Sequence, residues 1–324
     1  MQSDANKLAA SLVGRYPNMT PTEKYIEENK YVHGLRRSTL GRGEHRRIIL
    51  DSVRHLLWRN VLSLFRCAKN YPLELYKGFS GLKATYGVAG SKSSCQALVI
   101  GNGPSQGYLD SKTLDKFIEN GGETICVNYW NLNKSLASHI PTWMCFSDSL
   151  TFKSEQFGPM LIEYLRENSL IKIVGPRQII EAARQSGLTN SMFSFIDIEV
   201  PCSRNLHPLM PRGYISMTLY KALAWGVYLG YSKIGLIGMD NTYPRNLYCD
   251  ENNNVLNLET HAGKDDFVVD QSSLYPTMAS ALQELFLIFR DLERFPQRNI
   301  VNLDRYSLTD RFKKVEPQEF FDGC

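Results

Sequence analysis

From Gln96 onward the chain repeats one pattern: a short apolar run, an abrupt glycine or polar stop, then a helical stretch. Ala97-Leu98-Val99-Ile100 ends in Gly101-Asn102-Gly103-Pro104-Ser105, and the spacing predicts a helix near Ser111 to Glu119. Thr124 to Val127, Thr142 to Phe146, Leu170 to Val174, Phe193 to Ile198, Ile234 to Ile237 and Asn299 to Leu303 read as further strands. Helices are expected over Arg177 to Gln185, Ser216 to Leu229 and Ser273 to Arg294. Strands separated by helices predict an α/β fold with a parallel, Rossmann-like sheet covered by helices on both faces.

The chain before this alternation has a different character. Up to Lys92 it holds 16 Lys and Arg against 7 Asp and Glu, about +9, while the remainder holds 21 against 26, about −5. Arg46 to Lys69 reads as a helix in which Ile49, Val53, Leu56, Leu57, Val61, Leu64 and Phe65 recur at helical spacing beside Arg46, Arg47, Arg54, Arg59 and Arg66. A basic amphipathic helix of this kind either lies on an anionic membrane surface or packs on the rest of the protein. Gly78 to Gly90 reads as a linker. Residues 1–90 are thus expected to form a basic, mostly helical appendage, and 91–324 the α/β domain.

Seven scattered cysteines without a CxxC pair, several inside apolar runs, suit reduced thiols rather than a disulfide framework or a zinc site. No N-terminal apolar stretch reads as a signal peptide, and no 18-residue apolar run could span a bilayer. The expected location is cytoplasmic, peripheral on the inner face of the cell membrane where the basic helix docks. Membrane lipid, not nucleic acid, is the expected anionic partner.

Chemistry is expected at the ends of the strands. In open parallel sheets, ligands bind outside the strands' carboxyl ends. Gly101, Asn102, Gly103 and Ser105 follow the first strand, and glycines there let backbone N–H groups approach a phosphate. The loop is neither a GxGxxG dinucleotide turn nor a Walker A sequence. Asn128, then Ser147 and Asp148, then Asp240 follow three further strands. Turns and helix caps use the same residue types, so no one of these positions is informative alone.

The GNGPS loop, the Asn after the second strand and the run ALAWGVYLGYSKIGLIGMD from Ala222 to Asp240 resemble bacterial sialyltransferases of glycosyltransferase family 42. The motility-associated-factor flagellin glycosyltransferases share that core. The resemblance covers about Gln96 to Leu308. It implies a sialyltransferase-like variant of the GT-A-type fold and an inverting transferase that needs no metal and no cofactor. The donor would be a cytidine-monophosphate-linked nonulosonic acid of the sialic, legionaminic or pseudaminic type. The acceptor would be a hydroxyl of a glycan, lipid-linked or protein partner, and the family often forms homo-oligomers. By position, Gly101, Asn102 and Gly103 would face phosphate and ribose, Asn128 the nucleotide, and Ser147 the sugar. Tyr243 and Tyr248 stand where the family's phosphate-binding tyrosines lie. His261, in Thr260-His261-Ala262-Gly263, stands for the catalytic base, with its Gly on the other side from the family's.

The family's Arg-x-Thr-Ser element is replaced by Arg212-Gly-Tyr-Ile-Ser216-Met-Thr218. Counting back from Asp240 sets Thr218 on the family's Ser and Ile215 on its Arg, so Arg212 fits only with a shift. His139 and His207, beside prolines in loops, are weaker candidates for the base. Archaeal 6-hydroxymethylpterin pyrophosphokinases share the GNGPS core, and in that reading Asp148, Asp240, Asp265 and Asp266 would hold magnesium for ATP chemistry. A non-catalytic nucleotide-binding protein docked on membranes by the basic helix is the third reading.

Overall fold

A computed structural model describes residues 45–128, 130–132, 136, 139–155, 157–249, 255–257, 274–275 and 277–322. His261, Asp265 and Asp266 therefore lie outside the described residues.

Helix α1 (His45–Lys77) and helix α2 (Phe79–Tyr86) precede the first strand. The alternation then runs β1 (Gln96–Ile100), α3 (Ser111–Glu119), β2 (Glu123–Val127), β3 (Trp143–Cys145), α4 (Gly158–Glu167), β4 (Lys172–Pro176), α5 (Arg177–Gln185) and β5 (Met192–Phe195). It continues with α6 (Thr218–Leu229), β6 (Lys233–Ile237) and, further on, β10 (Ile300–Asn302), β11 (Lys313–Lys314) and α9 (Pro317–Phe321). All eight of these strands pair in parallel, in the order β11-β10-β6-β1-β2-β3-β4-β5. This is the Rossmann-like α/β sheet that the alternation predicts.

The order sets β1 and β6 side by side near the middle of the sheet. From β1 the chain builds outward through β2 to β5, then crosses back to lay β6 on the other side of β1. The carboxyl ends of β1 and β6 therefore lie side by side where the strand order reverses, the position at which open parallel sheets commonly bind ligands. The strands are buried to 0–3% exposure along Leu98–Ile100, Ile125–Val127 and Leu236–Ile237. Trp143, Phe193 and Trp225 stack edge to face with centroids 5.2–5.8 Å apart and pin α6 to the sheet.

Gly78 to Gly90 is not a linker. Most of it is α2, and Gly81 serves close approach instead of flexibility. A Cβ on Gly81 would stand 2.7 Å from the Cβ of Ser194, so α2 lies directly on β5. The Thr85 hydroxyl donates to the Ser194 carbonyl at 2.7 Å. Beyond α2, the Gly90 N–H donates to the Tyr228 carbonyl and the Lys92 N–H to that of Leu229.

The chain divides into two compact units. The larger holds Arg42–Asn241 and Phe286–Cys324, and with them the parallel sheet. In the smaller, the described residues form α7 (Tyr243–Asn246) and a three-stranded antiparallel sheet of β7 (Leu247–Cys249), β8 (Val255–Asn257) and β9 (Leu274–Tyr275). Helix α8 (Met278–Leu292) begins there and ends in the larger unit. Among the described residues no helix is long and apolar enough to cross a membrane.

Candidate functional site

The Gly101–Ser105 loop leaves the carboxyl end of β1, and it is braced by the end of β6. The Gly101 N–H donates to the Ile237 carbonyl (2.8 Å) and the Gly103 N–H to that of Gly238 (3.0 Å). A Cβ on Gly103 would stand 2.7 Å from the Gly238 carbonyl oxygen and collide with the Asp240 carboxylate. Glycine is required there because another chain segment already occupies the space. Gly238 itself adopts φ 73, a conformation that glycine reaches without penalty.

Asp240 holds the far side of the loop. Its Oδ1 accepts the Ser105 N–H and its Oδ2 the Ser105 hydroxyl, both at 3.0 Å. The Ser105 Oγ in turn accepts the Gly238 N–H at 2.9 Å. Ser105 therefore spends its donors on the protein's own carboxylate, and Asp240 supports the loop from inside.

A residue not foreseen in the sequence completes this corner. Asn302 pairs with Leu236, which sets Asp304 level with Gly238. Asp304 is 1% exposed; its Oδ1 accepts the Tyr306 N–H at 2.8 Å, and no donor of the protein reaches its Oδ2. The Asp304 carboxyl instead acts on that of Asp240 and favours its protonated form. Burial first, and then the charge of Asp304, pushes the Asp240 pKa up to about 6 despite the two Ser105 bonds. The signal was available: Asp304 follows the strand read over Asn299 to Leu303, as the other polar residues follow theirs.

A second polar group lies at the ends of β2 and β3. Asn128 takes φ 48 just past β2, and asparagine tolerates that left-handed backbone better than most residues. Its N–H donates to the Cys145 carbonyl, and its Nδ2 donates to the Thr218 hydroxyl at 3.4 Å. The Ser147 and Thr218 hydroxyls meet at 2.5 Å. Thr218 is the first residue of α6, so this trio stands at the helix's positive end. Asn128 Oδ1 is buried with no donor facing it. Leu219, one residue further into α6, lies 3.0 Å from where a Gly101 Cβ would be, so the trio and the loop share one end of the sheet.

The remaining expected residues are placed differently. Arg212 is buried, with its Nε on Asp197 (2.7 Å) and its Nη1 on Glu199 (3.4 Å) and the Tyr214 carbonyl. Lys221 joins the same network through Asp197 (2.8 Å) and the Ser216 hydroxyl (3.0 Å). Burial would raise the Asp197 pKa, but Lys221 and Arg212 outweigh it and hold that carboxyl below its ordinary range. The Arg212 guanidinium is thus engaged by acids of the β5–α6 connection. Asp148 is exposed. Tyr243 opens α7, and Tyr248 lies in β7 opposite Leu256. Among the described residues no three His, Cys, Asp or Glu side chains gather to hold a metal ion.

No protein-family model matches the sequence, and no curated protein matches it. Among solved structures the chain is similar to an MAf glycosyltransferase from Magnetospirillum magneticum AMB-1, with 11% identity and a TM-score of 0.43. That match covers 74% of this chain and 38% of the other, so the chain spans well under half the length of that protein.

Proposed function

We propose that the chain is a sialyltransferase-like glycosyltransferase. It moves a nonulosonic acid from a cytidine-monophosphate donor to an acceptor hydroxyl, with inversion and without a metal. The observation that carries this reading is the convergence of Gly101–Ser105, Asn128, Ser147 and Thr218 at the carboxyl end of the sheet, beside the point where the strand order reverses at β1 and β6. The choice of cytidine monophosphate rests on the sequence resemblance. In this reading the Asn102 backbone approaches the phosphate, while Asn128 offers its unmet Oδ1 to a donor on the nucleotide, such as a ribose hydroxyl or the cytosine amine. Ser147 and Thr218 turn their hydroxyls to the sugar.

The departing phosphate gains charge in the transition state, and neutral phenols such as Tyr243 and Tyr248 can stabilise it by hydrogen bonding. An acceptor hydroxyl is a poor nucleophile, so a base near neutral pKa is needed, and His261 has that chemistry.

A thermal-shift series tests the donor class. Cytidine monophosphate should raise the melting temperature, and adenosine and uridine nucleotides should not. Equal stabilisation by ATP with magnesium would overturn it. His261→Ala should lose a factor of about 10²–10⁴ in turnover while still binding cytidine monophosphate. A fully active His261→Ala enzyme would remove His261 as the base.

A further inference from the structure

Helix α1 is amphipathic in the reverse of the usual sense. It runs for 33 residues, roughly 50 Å. The face turned to the protein is polar: Ser63, Cys67, Tyr71 and Glu74 follow one another at helical spacing. The Tyr71 hydroxyl donates to the Leu209 carbonyl at 3.2 Å, and Glu74 pairs with Arg177 at 3.2 Å. The apolar stripe of Leu57, Val61, Leu64, Phe65, Leu75 and Tyr76 faces solvent, with Leu57 63% and Phe65 71% exposed. One edge of that stripe carries Arg66, Lys69 and Lys77, all exposed.

A helix that docks by its polar face and offers six large apolar side chains to water has a second surface to meet. We infer that this surface is an anionic lipid bilayer, on which α1 lies in the interfacial plane with its apolar stripe among the acyl chains and its basic edge at the headgroups. Charge selects the occupant. The helix holds seven Lys and Arg against Asp51 and Glu74, and Glu74 is already paired within the protein. A second copy of α1 would bring the same positive charge to the same place, whereas anionic headgroups neutralise it. The exposed aliphatic side chains gain nothing from a nucleic acid backbone but gain burial in lipid.

Co-sedimentation of the full chain with phosphatidylcholine vesicles, with and without phosphatidylglycerol, tests this at low and high salt. Binding is expected only with the anionic lipid, and it should weaken as salt rises. Leu64→Glu with Phe65→Glu should lower the partition coefficient at least about tenfold, because two buried apolar groups are lost. Arg66→Glu with Lys69→Glu should lower it on the order of tenfold and flatten the salt dependence. Both pairs are exposed, so circular dichroism and melting temperature should not change. The inference is overturned if anionic vesicles do not retain the wild type at low salt, or if Leu64→Glu with Phe65→Glu binds them undiminished. It is overturned equally if sedimentation velocity shows that those substitutions dissociate an oligomer without affecting vesicle binding.

Discussion

At the β1–β6 end of the sheet, Ser105 gives both donors to Asp240, and the charge of Asp304 acts on the same carboxyl. At the β2–β3 end, by contrast, Asn128, Ser147 and Thr218 bond mainly to one another and leave Asn128 Oδ1 with no donor. The first corner spends the donors of Ser105 on Asp240, so its product is shape: a glycine loop held at a fixed place. The second still has a hydrogen bond to offer at Asn128 Oδ1, and the donor recognition proposed above is assigned there. Glycine loops at strand ends are usually discussed as phosphate cradles, but here most of the loop's N–H groups already serve to hold it in place.

The contrast fails most visibly at Gly103. Gly103→Val would drive its side chain into the Gly238 carbonyl and the Asp240 carboxylate. The overpacking should cost about 3 kcal/mol of stability, and the displaced loop should weaken nucleotide binding. Calorimetry with cytidine monophosphate reads it directly, and unchanged affinity would place the nucleotide elsewhere.

The acid pair gives the next largest effect, and its sign is definite. Asp240 titrates near 6 in the folded chain against 3.8 ordinarily, so the native state keeps a proton that the unfolded chain has released. Stability should therefore decline as pH rises from about 4 to about 6 and stay level above, by on the order of 2–3 kcal/mol. Asp304→Asn removes the opposing charge and should shrink that decline. Parallel denaturation series from pH 4 to 7 compare the two, and equal slopes would mean that Asp304 does not govern Asp240.

The smallest effect belongs to the open corner. Ser147→Ala and Thr218→Val each remove one hydroxyl from a partly exposed trio, costing about 1 kcal/mol, or about fivefold, in donor binding. A stability loss of that size with unchanged affinity would make the trio a structural clasp instead of a recognition surface.

How much of this was legible in the sequence depended on whether a residue's role was local. The helices over Ser111–Glu119 and Arg177–Gln185 were readable to the residue, because their apolar spacing and flanking turns lie within one segment. Helix α4 was not: Gly158 and Pro159 look like breakers, yet proline is at home in a first helical turn. Helix α2 was hidden for a related reason, since the glycine that suggested flexibility serves contact with Ser194. At the candidate site, the strand-end rule placed Asn128, Ser147 and Asp240 past their strands, while Thr218 came only from counting back from Asp240 along the resemblance. The rule could not show that Ser105 would be occupied by Asp240, because that pairing joins residues far apart in the chain. The ion pairs of Arg212 with Asp197 and Glu199 were invisible for the same reason.

The bond between Ser105 and Asp240 spans 135 residues. During synthesis at 5–20 residues per second, the glycine loop is made roughly 7 to 27 s before the carboxylate that braces it. Through that interval β1 has its β2 neighbour but no β6, and one apolar strand edge stands open at the centre of the future sheet. Long-range parallel pairing of this kind is slow because loop closure precedes any gain from contact. The β1–β6 corner is therefore a late product of folding, and a chain stalled before Lys233 would carry the complete GNGPS sequence without the carboxylate that braces it.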